Sequence, residues 1–242
     1  MSSIIVPTTT FTAPVVTIYG ESAGMDVTIP AEATTLEGFR GWAKSDAFPQ
    51  RGAVSFIVGE VLVDMSPENF EVHSSLKAAV TSGIFMLVER KNLGLFFPDG
   101  YLLSNEAAGL STEPDAMFLS RKSYRAKKAT MVETGRLPGT HTELLGSPDW
   151  VLEIVSPSSS RKDKTLLRKA YFKAGIGEYW IIDARGKQIE FLMLVRGRQG
   201  FVEVKSIDGW RMSPTFYVLF RITRKLDEDG FWHYKLHSKD EK

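Results

Sequence analysis

The stretch that most constrains the fold is residues 149–183, where an apolar strand, a helix and a second apolar strand follow one another. Residues 150–155 read WVLEIV and residues 178–183 read EYWIID. The helix between them begins at Ser160, with Asp163 at capping-box spacing, and stops at Gly175. Strand, helix and strand within about 35 residues predict a right-handed crossover that joins two parallel strands.

Glu153 is an ionisable residue at a position where burial is expected. Period-two alternation places it on the same strand face as Val151 and Val155. An unpaired buried charge costs several kcal/mol, so a buried Glu153 must be protonated, paired with a cation or bound to a metal. The pattern alone leaves open an edge strand on which Glu153 faces water.

The helix that follows carries several lysines, and helical phase separates them. At about 100° per residue, Lys164 falls about 60° from Leu167, on the margin of the apolar stripe. By the same count, Lys162 and Lys169 point well away from the apolar stripe. Lys164 is therefore the lysine expected to reach a site at the sheet. The stripe consists of Leu166, Leu167, Ala170 and Ala174.

Several ordered motifs resemble the Uma2 family, a branch of the PD-(D/E)XK nuclease superfamily. They are Pro114-Asp115, PDWVLEIVSPS at residues 148–158, YFKAGIGEYWIID at residues 171–183 and, upstream, GEVLVDMSPENFEVH at residues 59–73. The resemblance covers roughly residues 36–205. It implies an α/β fold of the restriction-endonuclease-like type, a mixed β-sheet flanked by helices.

We expect one such domain over residues 34–208, preceded by an extension at residues 1–33. Residues 209–242 depart from the family ending and have strand-like runs with a turn at Asp229-Gly230. They predict an extra β-hairpin at the C-terminus, packed on the same domain, where it covers an edge or makes a dimer contact.

The resemblance implies a Mg²⁺-dependent (or Mn²⁺-dependent) endonuclease acting on DNA. Such a nuclease needs acidic oxygens for the metal, a metal-activated water and a cation near the transition-state charge. Asp115 and Glu153 would supply the acidic oxygens, and Val155 its backbone carbonyl. The separation of Asp115 and Glu153 along the chain is consistent with two strands lying side by side. Glu60 and His73 are carried over as residues that line the site.

The chain departs from the family at the catalytic lysine. When Tyr171 and Gly175 are placed on the family pattern, Leu167 stands where a helical lysine is expected. Lys164 is the first candidate to replace it. Arg168 is the second, and it could neutralise charge but could not act as a base.

The missing lysine leaves two other functions open. One is a catalytically impaired nuclease-fold module that binds nucleic acid or a protein partner. The other is a metal-dependent hydrolase of some other phosphate ester.

Nucleic-acid contacts must come from local patches, because the formal net charge is only +1. One basic run follows the Asp115 strand and would bind phosphates if the chain is a nuclease, although such runs are usually just solvated. It consists of Arg121, Lys122, Arg125, Lys127 and Lys128.

The absence of cysteine and the hydropathy of the chain exclude further kinds of site and of protein. The absence of cysteine excludes disulfides, thiolate catalysis and cysteine-based zinc sites. No run approaches the roughly 18 apolar residues of a membrane span, and the start of the chain lacks a basic leader. We therefore expect a cytoplasmic protein without a membrane partner, and a homodimer would bring two sites to the two strands of DNA.

Overall fold

The structure, a computed structural model, describes residues 15–19, 28–67, 69–133 and 139–241. Short π-helical segments at Phe70–Ser74 and Lys162–Leu167 lead into two of the helices. The α-helices in this part of the chain are α1 (Leu36–Ala43), α2 (Ser75–Lys91), α3 (Arg121–Arg125) and α4 (Arg168–Lys173).

Three β-sheets make up the rest of the framework. Their strands are β1 (Val15–Tyr19), β2 (Ala53–Ile57), β3 (Glu60–Asp64), β4 (Gly94–Pro98), β5 (Leu102–Asn105), β6 (Leu110–Thr112), β7 (Ala116–Ser120), β8 (Ala129–Glu133), β9 (His141–Gly146), β10 (Trp150–Ile154), β11 (Glu178–Asp183), β12 (Glu190–Arg196), β13 (Phe201–Glu203), β14 (Arg211–Ser213), β15 (Val218–Leu226) and β16 (Trp232–Asp240).

The sheets have seven, six and three strands. Their orders are β1-β3-β2-β6-β5-β9-β8, β13-β12-β11-β10-β7-β4 and β14-β15-β16. β1 pairs in parallel with β3 at one edge of the seven-stranded sheet. Apart from β1, the expected extension before residue 28 lies outside the described residues. The mixed α/β architecture expected from the sequence is confirmed.

The six-stranded sheet contains the predicted crossover. β10 and β11 are parallel neighbours, and β7 lies antiparallel on the other side of β10. The strand that follows Asp115 and the strand that carries Glu153 are therefore adjacent, as their spacing predicted. β10 is a central strand and Glu153 is only 3% exposed. The edge-strand alternative for Glu153 is thus wrong.

Both faces of this sheet are buried, which explains why β10 and β11 are almost wholly apolar. On one face, Val151 and Tyr179 pack with Leu167 and Tyr171 from the crossover helix and with residues of the seven-stranded sheet. On the other face, Trp150 and Trp180 belong to a second core cluster, shared with α2 and the C-terminal sheet.

The C-terminal residues form a three-stranded sheet rather than a hairpin alone, and it covers a face instead of an edge. Phe216 and Phe220 pack against Trp180, and β16 lies on α2 at Gly83. A Cβ at Gly83 would lie 3.0 Å from Leu236 Cδ2, so glycine permits this close approach. The buried Glu178 carboxylate binds the segment at Ser213 and Thr215.

In the described ranges, no helix has the length and apolar character needed to cross a membrane.

Candidate active site

An open cleft of about 670 Å³ lies where β3 and β10 end and β7 begins. Its lining is strongly acidic. The cations among the described lining residues are Arg51 and Lys162, with His73 as a third if it is protonated. The carboxylates in the same lining are Asp64, Asp99, Glu113, Asp115, Glu153 and Asp163.

Asp115 is held firmly at the start of β7. Its Oδ2 accepts a hydrogen bond from the Ile154 N–H at 2.6 Å. Lys77 Nζ lies 3.2 Å from its Oδ1, and His73 Nε2 lies 3.8 Å from its Oδ2. Lys77 also pairs with Asp99 at 2.8 Å. The carboxylate is therefore oriented by a neighbouring strand and by the first turns of the α2 region.

Glu153 is buried and oriented by one hydrogen bond. Its Oε1 accepts from the Tyr171 hydroxyl at 2.6 Å. Burial raises the pKa of Glu153 well above its usual value, and the carboxylates of Asp163 and Asp115 raise it further. The positive charge of Lys162 and the Tyr171 hydrogen bond oppose this rise. A cation placed beside Glu153 would favour its charged form.

Asp163 completes the acidic group and was assigned only a capping role from the sequence. Its Oδ2 accepts a hydrogen bond from the Ser159 hydroxyl. Its Oδ1 is buried and has no hydrogen-bond partner among the described residues, and Lys162 Nζ lies 3.6 Å from it. Burial raises the pKa of Asp163 to about 6, against the opposing charge of Lys162.

Lys162, rather than Lys164, lines the cleft, so the helical phase expected from the sequence is wrong. Residues 162–167 form a π-helical segment, whose wider turns rotate each residue by less than the 100° of an α-helix. Lys164 instead pairs with Asp183 at 2.9 Å and with Glu190. Burial alone would lower the pKa of Lys162. The nearby carboxylates of Asp163, Glu153 and Asp115 outweigh the effect of burial and raise this pKa.

Two further positions of the crossover helix lie away from the cleft. Leu167 is fully buried in the core, as its place on the apolar stripe predicted. Arg168 donates a hydrogen bond to the Phe201 carbonyl at 3.1 Å and is not among the lining residues. Its position is fixed by the β12–β13 side of the sheet, remote from Asp115.

The backbone carbonyl on the Asp115 side is that of Ile154 rather than Val155. The Ile154 N–H points to Asp115, whereas the Val155 N–H bonds the Ile182 carbonyl on β11. In an extended strand, the N–H and C=O of one residue point to the same side. Ile154 lines the cleft, and the Val155 side chain is buried in the core.

The upstream motif, residues 59–73, reaches the cleft through its middle, at Asp64, and through its last residue, His73. His73 lines the cleft on the π-helical segment, which Asn69 caps by accepting from the Val72 N–H. Glu60 begins β3 and is not among the lining residues, whereas Asp64 ends that strand and lines the cleft. The sequence signal that could have identified Asp64 is an acid at the end of an apolar strand, two residues before Ser66-Pro67.

The basic run lies at the opposite end of β7 from Asp115. The five residues of β7 separate Asp115 from Arg121, so these two residues are six steps apart, or about 20 Å at 3.3 Å per residue. α3 carries three of the cations, and Arg121 is hydrogen bonded to Asn92. This run is therefore separate from the acidic cleft.

The chemistry of the cleft fits a hard divalent cation. Carboxylate oxygens are its preferred ligands, and the Asp163 Oδ1 atom is buried without a hydrogen bond among the described residues. The described chain contains no group of three acidic, histidine or cysteine residues spaced to hold a metal by itself. Mg²⁺ usually keeps several waters and binds one or two carboxylates, so a site built on Asp115 and Glu153 would need no third protein carboxylate.

Comparison with known proteins agrees with the fold and the motifs. A crystal structure described as "a putative nuclease belonging to DUF820 from Anabaena variabilis" shares the fold with a TM-score of 0.55. The two chains are 22% identical over 75% of this chain and 90% of the other. No curated protein matches. The model of the Uma2 family, described as "Putative restriction endonuclease", matches residues 36–223, and this chain belongs to that family.

Proposed function

We propose that this protein is a Mg²⁺-dependent (or Mn²⁺-dependent) endonuclease that hydrolyses DNA phosphodiester bonds in the acidic cleft. The observation that carries the proposal is the burial of Asp115, Glu153 and Asp163 around Lys162, in a cleft open to a polymer. The family description supports hydrolysis of phosphodiester bonds.

Asp115 and Glu153 would hold the metal ion, with the Ile154 carbonyl on the same side. When bound, the ion would supply a Lewis acid that activates water and neutralises phosphate charge. The Ile154 N–H and the Tyr171 hydroxyl hold the two carboxylates in fixed orientations. Removal of such supporting hydrogen bonds typically changes metal affinity by about 10–100-fold.

Lys162 would supply the cation that the family places at the position of Leu167. Its raised pKa keeps the ammonium charged at neutral pH. A charged ammonium cannot accept a proton, so its role is to stabilise negative charge on the phosphate in the transition state. The serine-rich turn beside it, with Ser156, Ser158 and Ser159 in the lining, can donate hydrogen bonds to the same oxygens.

The basic run at α3 would contact DNA away from the scissile bond. Lys122, Arg125 and Lys127 are exposed, and they lie past the far end of β7, about 20 Å from Asp115. This distance approaches the width of a duplex. The cations would therefore meet phosphates beyond the cleft and add salt-dependent affinity.

The test is cleavage of supercoiled plasmid and branched DNA with Mg²⁺ or Mn²⁺. Glu153→Gln and Asp115→Asn should each reduce the cleavage rate by at least about 10²-fold, a typical loss when one group that stabilises transition-state charge is removed. Glu203→Gln is the matched control, because Glu203 is exposed and lies on β13, outside the cleft lining.

Retained cleavage in Glu153→Gln would refute this site. A native protein that binds DNA but cuts none of these substrates would instead identify an impaired nuclease-fold module. Turnover of a small phosphodiester without DNA affinity would identify a hydrolase of another phosphate ester.

A further inference from the structure

The outer face of the C-terminal sheet, formed by β15 and β16, is strongly basic. Opposite residues of an antiparallel pair share a face, and Phe220, Ile222 and Leu236 face inward, onto the core shared with α2. The alternate residues must then face outward. Their cations are Arg221 and Lys225 on β15, and Lys235 and Lys239 on β16.

These four cations, the C-terminal basic face, are not neutralised by acids in the part of the chain that the structure describes. None of them forms an ion pair there, whereas Lys91 and Lys164 elsewhere on the surface do. The Arg221 Nε atom is buried and has no hydrogen-bond partner among the described residues. The face therefore presents a concentrated positive charge on a chain whose net charge is only +1.

His237, which lies on the same face opposite Arg221, responds to this positive potential. Its pKa is lowered by partial burial and by the charges of Lys235 and Arg221. Neighbouring cations that disfavour protonation of His237 would equally attract an anion.

Trp210 brings two of the cations together. Arg221 Cζ lies 4.7 Å and Lys239 Nζ 4.2 Å from the centroid of its ring. Gly209 precedes it with φ +78°, and a Cβ there would lie 3.2 Å from Arg221 Cδ. The turn thus leaves room for the arginine stem, and the indole holds the two cations close together by cation–π contacts.

The basic face is connected to the cleft region through α2. The inner face of its sheet packs on α2, and Val72, Arg224 and Trp232 line one shallow depression. Val72 is the chain neighbour of His73, which lines the cleft. The family match ends at residue 223, so β16 lies beyond the matched residues.

We propose that the C-terminal basic face docks the phosphate backbone of duplex DNA. Lys235 and Lys239 are four residues apart, about 13 Å along the strand. One DNA strand carries a charge about every 3.4 Å of helix axis, so this length faces about four phosphates. The inference rests on the proposed function in taking DNA as the partner, but docking at this face requires neither metal nor cleavage.

The test measures equilibrium binding of a fluorescently labelled duplex by anisotropy, in EDTA, across a range of salt concentrations. The variant is Lys225→Gln/Lys235→Gln/Lys239→Gln, which leaves Arg221 and its packed stem intact. The charge-matched control is Lys169→Gln/Lys173→Gln/Lys205→Gln, because these lysines are also exposed. Equal melting temperatures for both variants and the native protein establish that the fold is retained.

Each phosphate that the variant no longer neutralises should lower the slope of log K against log salt by about 0.9, so the basic-face variant should lose between about 2 and 3 units. At about 0.1 M salt, this corresponds to binding at least about 100-fold weaker than that of the control. Such a difference supports the proposal even if no cleavage is ever detected.

Equal weakening of both triple variants would show only a net-charge effect and would overturn the proposal. Unchanged binding by the basic-face variant would overturn it as well. Lysine-dependent binding to vesicles of anionic phospholipid, without DNA binding, would replace DNA with a membrane surface and also refute it. None of these outcomes bears on whether Glu153→Gln abolishes cleavage, so the two proposals fail separately.

Discussion

Replacing Lys162 by methionine should abolish most of the nuclease activity, whereas the same change at Lys164 should not. Methionine keeps the length and apolar stem of the side chain and removes its charge. Lys162 lines the cleft and lies 3.6 Å from the Asp163 carboxylate. Lys164 is bound to Asp183 and Glu190 outside it.

The size of the effect on activity follows from the role of the charge. A preorganised positive group that meets developing phosphate charge in a partly desolvated site contributes about 3–4 kcal/mol to transition-state binding. Lys162→Met should therefore lower kcat by about 10²–10³-fold, with a smaller change in KM. Lys164→Met should keep kcat within about threefold of the native value.

The same substitution also has a cost in stability. Breaking a buried charge pair by removing one partner costs about 3–5 kcal/mol, because it leaves the other charge uncompensated. The Lys162 side chain is 14% exposed, so this range applies as an upper bound. Lys164 is 30% exposed, and removal of its ion pairs should cost less than about 1 kcal/mol.

The assay is single-turnover cleavage of a labelled duplex with Mg²⁺, together with urea unfolding of the same three proteins in EDTA. Activity is compared at a temperature where each variant is fully folded, which separates catalysis from stability. Loss of cleavage in Lys164→Met with retention in Lys162→Met would show that the lysine assignment is wrong. Equal loss of cleavage in both variants would show that neither lysine has a specific role in stabilising the charge on the phosphate.

Three other predictions concern groups around the site. Glu178→Ala should lower the free energy of unfolding by about 3 kcal/mol or more, because three donors lose a buried acceptor. Urea unfolding measures this loss, and a midpoint equal to that of Glu203→Ala, at an exposed site, would contradict it. The Arg185 hydrogen bond holds the pKa of Asp183 below its usual range, so the pair stabilises the fold above about pH 4 and this stabilisation is lost as pH falls further. The difference in melting temperature between native protein and Asp183→Asn should accordingly shrink on acidification below about pH 4, and a constant difference would refute the linkage. Tyr171→Phe should raise the Mg²⁺ concentration for half-maximal cleavage by about 10-fold or more, because the hydroxyl no longer orients Glu153. Isothermal titration with Mn²⁺ checks this separately from activity, and an unchanged affinity would exclude the role.

The sequence allowed the central part of the fold to be predicted because its signals are local. An apolar strand, a capped helix and a second apolar strand predict two parallel neighbouring strands, and β10 and β11 pair in this way. The adjacency of the Asp115 and Glu153 strands was consistent with the separation of these two residues along the chain, within the family resemblance. The stripe containing Leu167 correctly identified a buried helix face.

The remaining site residues depend on elements that are distant in the chain. Asp64 comes from the end of β3 in the other large sheet, and Lys77 approaches Asp115 from α2. Nothing in the local pattern around either residue indicates how the two sheets and α2 meet. Likewise, the sequence shows β15 and β16 only as two charged strands. Their register is needed to place the cations of both strands on one face.

The sequence by itself indicated two of the cleft carboxylates, Glu153 from strand periodicity and Asp115 from the family motif, but not Asp163 or Asp64. Only the tertiary structure decided which lysine joins them. The hydrogen-bond register at residues 162–167 is π-helical, and this register turns Lys162 inward and leaves Lys164 with Asp183. A single wider turn changes every side-chain direction around it, and the energy that selects that turn comes from packing and charge pairing across the sheet.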